Sequence, residues 1–173
     1  MEKLYSPWRS RYAKAADRTK KVEEIDCVLC RYARARAQDD DKNFVLLRLH
    51  HVYVLLNLYP YNGGHVLVVP YDHVNNLTLL APEARAEMME ATNHMIEVLL
   101  ETLHPHGFNV GINIGGQAAG GSIPDHIHMH VLPRWLGDTS FLPLLADTKP
   151  ISQNLSETYQ QIKKQLQSDY SNN

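Results

Sequence analysis

Between residues 44 and 132 the hydrophobic residues form short runs that are separated by turn-forming residues. The runs are rich in Val, Leu and Tyr, which favour β-strands. Asn62-Gly63-Gly64 separates two of the runs, and Pro70 ends the next one, as is typical of strand boundaries. The pattern predicts an antiparallel hairpin or meander that extends to about five strands. The predicted ranges are 44–49, 51–56, 65–70, 108–114 and 126–132.

Two other stretches have the three- and four-residue spacing of amphipathic helices. The longer helix is predicted over 82–103, because Pro82 and Glu83 suit a first helical turn. Its apolar stripe is interpreted as core, since thioether side chains fill irregular apolar gaps. The stripe consists of Met88, Ala91, Met95, Val98 (or Leu99) and Thr102. A second helix is predicted over 152–166, and segregated helices with antiparallel strands predict an α+β domain.

The chain divides into an N-terminal arm over 1–24, a folded domain over 25–150, and a C-terminal helix and tail over 151–173. The charged run Asp39-Asp40-Asp41-Lys42 is interpreted as a solvated, turn-like loop. The last residues, 168–173, are expected to fray.

Composition and charge argue against several classes of protein. The 173 residues include 17 basic and 19 acidic side chains, and this net charge of −2 does not support a nucleic-acid footprint. No apolar run is long enough to span a membrane, and the first residues contain no apolar signal region. Only two cysteines occur, Cys27 and Cys30, which argues against a disulfide scaffold. We therefore expect a cytoplasmic protein that binds neither nucleic acid nor membranes.

Three histidines at every second position are the strongest chemical feature of the chain. His126, His128 and His130 would project to one side of a strand, because successive strand side chains alternate between faces. Three polar rings on one face are unlike a core strand. They could be solvated on an exposed face, or they could share a zinc ion, since this spacing also suits neighbouring metal ligands.

A glycine-rich segment at 115–122 comes just before the histidine strand. Such a segment leaves backbone N–H groups exposed, and concavities of this kind bind phosphate. Ser122 adds a hydroxyl donor. The combination favours a phosphorus centre held against an imidazole over a zinc site made of histidines alone.

Two stretches of the chain resemble the signature of the histidine-triad (HIT) family, over roughly residues 25–135. The first is Asn113-Ile-Gly115 … Ala119-Gly120-Gly121-Ser122 … His126-Ile-His128-Met-His130-Val-Leu-Pro133, and the second is Asn57 … Gly63-Gly64-His65-Val-Leu-Val-Val-Pro70 … His73. The resemblance implies a HIT-like fold over 25–150, a nucleotide substrate and no organic cofactor. It also implies that the middle histidine, His128, attacks the α-phosphorus and forms a covalent nucleotidyl-histidine.

The resemblance assigns roles to other positions as well. His130 would donate to the α-phosphate or to the leaving group. Gly121 and Ser122 would donate to the non-bridging oxygens. Asn57 would contact the ribose, and Asn113 the phosphate region.

Cys27 and Cys30 form a CxxC pair, which by itself is also typical of two buried thiols or a redox pair. In zinc-containing members of the family, such a pair joins a histidine after the third strand and the first triad histidine. Those positions are His73 and His126 here. The resemblance thus implies a structural zinc ion held by Cys27, Cys30, His73 and His126, because a Cys₂His₂ set suits a closed tetrahedral site.

The segments 4–12 and 133–141 resemble the branch of the family that contains diadenosine tetraphosphate phosphorylases (ATP adenylyltransferases). Trp135 would then cover a bound nucleotide by stacking, although a structural aromatic residue at the core edge explains it equally. Arg134 would meet distal phosphates or form a surface salt bridge. Because family members are usually homodimers that pair the main helix and a strand, a homodimer is also implied.

The resemblance favours a nucleotidyltransferase that cleaves dinucleoside polyphosphates with inorganic phosphate as the acceptor. A hydrolase of dinucleoside polyphosphates or nucleoside phosphoramidates, with water as the acceptor, shares the same first step. A nucleotide-binding regulatory module is a third hypothesis. The intact triad argues against it, since a binding module needs no nucleophile.

Overall fold

The computed structural model describes residues 27–119, 122–138 and 154–171, so the arm over 1–24 lies outside the described residues. Within these ranges five strands form one antiparallel sheet in the order β1-β2-β3-β5-β4. The strands are β1 Val45–Arg48, β2 Val52–Leu56, β3 Val66–Pro70, β4 Gly107–Ile112 and β5 Met129–Arg134. The predicted α+β class with five antiparallel strands is confirmed.

Helices lie on both sides of this sheet. They are α1 Val28–Arg34, α2 Asp40–Asn43, α3 Pro82–Leu103 and α4 Leu155–Ser171. The two helices predicted from periodicity are α3 and α4. Helix α4 continues to Ser171, so the expectation that residues 168–171 fray is wrong. The buried residues Tyr159, Ile162 and Leu166 hold α4 against the core, and the helix extends beyond them by local hydrogen bonding.

The interpretation of residues 39–42 as a loop is also wrong, because α2 occupies most of this run. Acidic residues in its first turn complement the positive end of the helix dipole. Asp41 accepts hydrogen bonds from the Tyr159 hydroxyl (2.9 Å) and the Lys163 ammonium. The carboxylate of Asp41 thereby joins α2 to α4.

The two main apolar layers of the core lie one on each face of the sheet, and a small third cluster contains Leu80, Ala84 and Ile127. Alternate residues of β2, such as Val52 and Val54, pack with α3 and α4 in the larger layer. The residues between them, Tyr53 and Leu55, pack against α1 and the two cysteines in the smaller layer. The methionine stripe of α3 belongs to the larger layer, so its interpretation as core is confirmed. No helix in the described ranges is long and apolar enough to cross a membrane.

Gly64, in the turn between β2 and β3, occupies a conformation that other residues rarely adopt. Its φ of 69° lies in the left-handed region, and an added Cβ would overlap the Leu103 side chain and lie 3.3 Å from Pro133 Cγ. We expect Gly64→Ala to lower the free energy of unfolding by about 1–3 kcal/mol. Urea unfolding measures this loss. Gly107→Ala is the control, because nothing lies within 4 Å of an added Cβ there, and equal midpoints for the two variants would contradict the prediction.

Candidate active site and metal centre

Two cysteines and two histidines from separate elements meet at one end of the sheet. Cys27 caps α1 and Cys30 lies in its first turn, so both thiols project to the same side. His73 follows β3, and His126 precedes β5. The ligand atoms of all four residues lie within 4.8 Å of one another. The closest pairs are Cys30 Sγ with His73 Nδ1 at 3.2 Å and with His126 Nδ1 at 3.3 Å.

The chemistry of this cluster fits a zinc ion. His126 Nε2–H donates to the Pro70 carbonyl at 2.9 Å, so the lone pair on Nδ1 faces the thiols. Such a second hydrogen bond commonly orients a metal-binding imidazole. The two cysteines and His126 are at most 2% exposed, and no disulfide joins the cysteines. Buried thiolates and neutral imidazoles in this number and spacing can complete a tetrahedral site.

His128 has the tautomer and the charge state that a nucleophile requires. Its Nδ1–H donates to the His126 carbonyl at 2.8 Å, which leaves the lone pair on Nε2. Burial lowers the pKa of His128, because a desolvated imidazolium is unfavourable, so the ring is neutral near pH 7. A neutral imidazole with a free Nε2 can attack phosphorus. The residue that orients His128 is thus a member of the cysteine–histidine cluster.

His130 lies beside His128, and its proton is positioned by a fourth histidine, His65. The Tyr61 backbone N–H donates to His65 Nδ1 at 3.2 Å, so His65 carries its proton on Nε2 and donates to His130 Nδ1 at 2.9 Å. Neutral His130 therefore keeps its own proton on Nε2. Burial, and to a smaller degree His128, lowers the pKa of His130 to about 4. His130 can then act as a neutral hydrogen-bond donor.

No role was predicted for His65, although this residue lies within the family signature. His65 is fully buried at the start of the apolar run of β3. A histidine directly before an apolar strand is the feature of the sequence that could have indicated a functional role, because a buried imidazole needs polar partners.

The prediction that one strand carries all three histidines is wrong, although His128 and His130 lie side by side as expected. The centroids of the His128 and His130 rings are 4.8 Å apart, as expected for side chains two residues apart in extended backbone. However, β5 begins at Met129, and the Ile127 N–H donates to Val74 instead of to a neighbouring strand. This separate connection directs His126 to the cysteines, away from the two histidines beyond it.

Of the polar residues implied by the resemblance, two lie beside these histidines. The Asn57 side-chain nitrogen is 3.2 Å from His65 Nδ1, and the Asn113 side-chain amide is 3.4 Å from His130 Nε2. Rotation of the Asn113 amide group would present its oxygen, an acceptor, to the His130 Nε2–H. Ser122 is exposed and lines a cavity of about 170 Å³ next to the metal cluster. Gly121 lies outside the described residues, so its predicted role stays a prediction.

Arg134 and Trp135 lie beyond the histidines, at the end of β5. Arg134 pairs with Asp138 through two contacts, of 2.6 and 2.8 Å, so it forms the salt bridge that was one of the two expectations. Trp135 lines a separate shallow cavity with residues 106–109. Five residues of extended chain place it roughly 16 Å from His130. In a single chain Trp135 is therefore remote from the triad, and its stacking role stays a prediction.

Asp138, for which no role was predicted, joins the end of β5 to the turn between β2 and β3. Its carboxylate accepts hydrogen bonds from Arg134, from the Asn62 side chain at 2.8 Å and from the Trp135 backbone N–H at 3.2 Å. Arg134 first, and then these other donors, hold the pKa of Asp138 well below its usual range. The link through Asn62 fixes the turn between β2 and β3, which carries Asn57 and leads into His65.

Comparison with known proteins gives a consistent result. A family model for the HIT domain matches residues 38–135. The AP-4-A phosphorylase of Mycobacterium tuberculosis is 38% identical over 158 residues, which cover 91% of this chain and 80% of that protein. A bis(5'-nucleosyl)-tetraphosphatase (asymmetrical) of Schizosaccharomyces pombe is 33% identical over 85 residues, which cover 49% of this chain and 46% of that protein.

Among solved structures, a zinc-bound histidine triad family protein from Mycobacterium smegmatis is similar to this chain. The TM-score is 0.66 at 27% sequence identity, and the match covers 87% of this chain and 100% of that one.

Proposed function

Because this chain belongs to the HIT family, we propose that it cleaves dinucleoside polyphosphates, such as diadenosine tetraphosphate, at the α-phosphate. The observation that carries the proposal is the orientation of His128, whose Nδ1–H is held by the His126 carbonyl while Nε2 keeps its lone pair. His130, with a proton on Nε2, lies beside it. A neutral nucleophile next to a neutral donor suits nucleotidyl transfer.

In the first half-reaction, His128 Nε2 attacks the α-phosphorus. A P–N bond forms as the P–O bond to the leaving nucleoside polyphosphate breaks. His130 Nε2–H donates a hydrogen bond to the departing oxygen, and His128 Nδ1–H stays bonded to the His126 carbonyl. In this proposal Asn57 contacts the ribose, while Asn113, Gly121 and Ser122 contact the phosphates. In the second half-reaction an acceptor oxygen attacks the same phosphorus, the P–N bond breaks, and neutral His128 is restored.

We propose inorganic phosphate as the acceptor, with support from the phosphorylase that is 38% identical over most of this chain. The sequence match to an asymmetrical tetraphosphatase supports water as the second candidate. Diadenosine tetraphosphate with phosphate should give ATP and ADP, and without phosphate little turnover is expected. Chromatography of the products with labelled phosphate measures this, since the label must enter ADP. ATP and AMP formed equally with and without phosphate would indicate the hydrolase. Nucleotide binding without turnover would indicate a regulatory module.

We further propose that Cys27, Cys30, His73 and His126 hold a zinc ion. Their mutual distances support this, and so does the match to a zinc-bound family member. The ion would supply structural cross-linking between α1, the segment after β3 and the segment before β5. The chemistry at phosphorus belongs to His128 and His130.

A homodimer and a cytoplasmic location are also part of the proposal. The outer strand β4 is largely exposed, and Met89 and Leu100 of α3 are exposed apolar residues, so a strand and the main helix both offer surface for a second copy. Light scattering of the purified protein measures the assembly. The two free cysteines support a reducing compartment.

A further inference from the structure

Tyr61 places a large aromatic ring at the surface, directly beside the histidine pair. The residue is 55% exposed and lies in the turn between β2 and β3. The centroid of its ring is 5.0 Å from that of His65 and 6.0 Å from that of His130, and its plane is within 24° of the His130 ring. One side of the pair formed by His65 and His130 is therefore covered by a phenol ring that is itself open to solvent.

The backbone that carries this ring is fixed by a hydrogen bond of its own and by the residues that follow it. The Tyr61 N–H is bonded to His65 Nδ1. The next residue, Asn62, is buried and donates both to the Pro133 carbonyl at 3.1 Å and to Asp138 at 2.8 Å. Gly64 then packs closely against Leu103 of α3. Little conformational freedom remains to be lost when a ligand binds to such a ring.

The direction of the reaction indicates which part of a substrate reaches Tyr61. The retained nucleotide becomes bonded to His128, and the leaving nucleoside polyphosphate departs past His130, which donates to its oxygen. Tyr61 lies against His130 and against His65, the residue that orients it. The same turn carries Tyr59, which is 75% exposed.

We propose that Tyr61 is a stacking platform for the base of the leaving nucleoside, an inference that rests on the proposed cleavage of dinucleoside polyphosphates. An exposed aromatic ring on a fixed turn accepts the π-face of any base, so the second nucleoside should be recognised with little base selectivity. The ligand proposed for Tyr61 is therefore a nucleoside that is joined through its polyphosphate chain to the α-phosphorus under attack.

The test compares two substrates that differ only in the second nucleoside. Diadenosine tetraphosphate carries it, and adenosine 5'-tetraphosphate lacks it, while the same P–O bond breaks in both. We expect Tyr61→Ala to raise KM for diadenosine tetraphosphate about tenfold, from the loss of one stacked base. KM for adenosine 5'-tetraphosphate should stay unchanged, and Tyr61→Phe should retain the wild-type KM for both substrates. Leu79→Ala, which removes an exposed apolar side chain far along the sequence from this turn, is the control for nonspecific effects.

Equal rises in KM for both substrates would overturn the proposal and place Tyr61 at the retained nucleotide. Unchanged KM for both would overturn it as well. If Tyr61→Ala unfolds, Tyr61→Leu replaces it, because leucine keeps an apolar side chain without an aromatic face. Tyr61→Leu must then raise KM for diadenosine tetraphosphate and leave KM for adenosine 5'-tetraphosphate unchanged. Failure of the proposed function is a separate outcome, because the wild-type protein would then cleave neither substrate.

Discussion

Replacing His128 by alanine is expected to abolish cleavage of diadenosine tetraphosphate, with a loss in kcat of about 10⁴-fold or more. Without the imidazole no P–N bond can form, and water or phosphate would have to attack the substrate directly. His128 is one buried side chain immediately before β5 and takes no part in the strand register, so its removal leaves the sheet ladder in place. Single-turnover kinetics on protein whose circular dichroism matches the wild type measure the loss.

His50→Ala is the matched control for this experiment. His50 is exposed in the turn between β1 and β2, where its ring contacts His51, and its loss should leave turnover unchanged. Substantial activity in His128→Ala, with the fold intact, would remove His128 from the mechanism. Loss of activity in both variants would show that the assay reports on folding instead of chemistry.

Replacing Cys30 by serine is expected to remove the zinc ion and to destabilise the whole domain. Cys30 Sγ is the atom of the cluster that contacts both histidines, and a hydroxyl is a much poorer zinc ligand than a thiolate. Binding free energy of a structural zinc ion is folding free energy, so a loss of at least about 3 kcal/mol is expected. For a chain of this size that corresponds to roughly 6–12 °C in Tm. Turnover should fall too, because the His126 backbone orients His128.

Elemental analysis and thermal unfolding, each with and without a strong chelator, test this prediction. The chelator should lower the Tm of the wild-type protein to that of Cys30→Ser and should have no further effect on the variant. Cys27→Ser should behave in the same way, because Cys27 Sγ also contacts His126, at 3.4 Å. Wild-type protein purified without chelator and free of zinc would contradict the metal assignment. An unchanged Tm in Cys30→Ser would contradict its structural role.

Local sequence patterns were sufficient to predict most of the helices and strands. The helix over 82–103 was predicted with its observed bounds, because a proline start and a long apolar stripe are encoded within the segment itself. The strands were found for the same reason, within one to three residues at their ends. The short helices α1 and α2 were not predicted, since each is held mainly by contacts from distant residues, such as the Tyr53 hydroxyl bonded to the Leu29 carbonyl.

The sequence by itself determined the family and the four residues that meet as a candidate metal site, and it singled out His128 as the proposed nucleophile. These features can be predicted from the types of residue in each motif and from their spacing in the sequence. Only the tertiary structure decided where each imidazole proton lies. The proton of His126 is set by Pro70, that of His128 by the His126 carbonyl, and that of His130 by His65. A tautomer depends on which atom faces each ring nitrogen, and folding brings most of those atoms from distant parts of the chain.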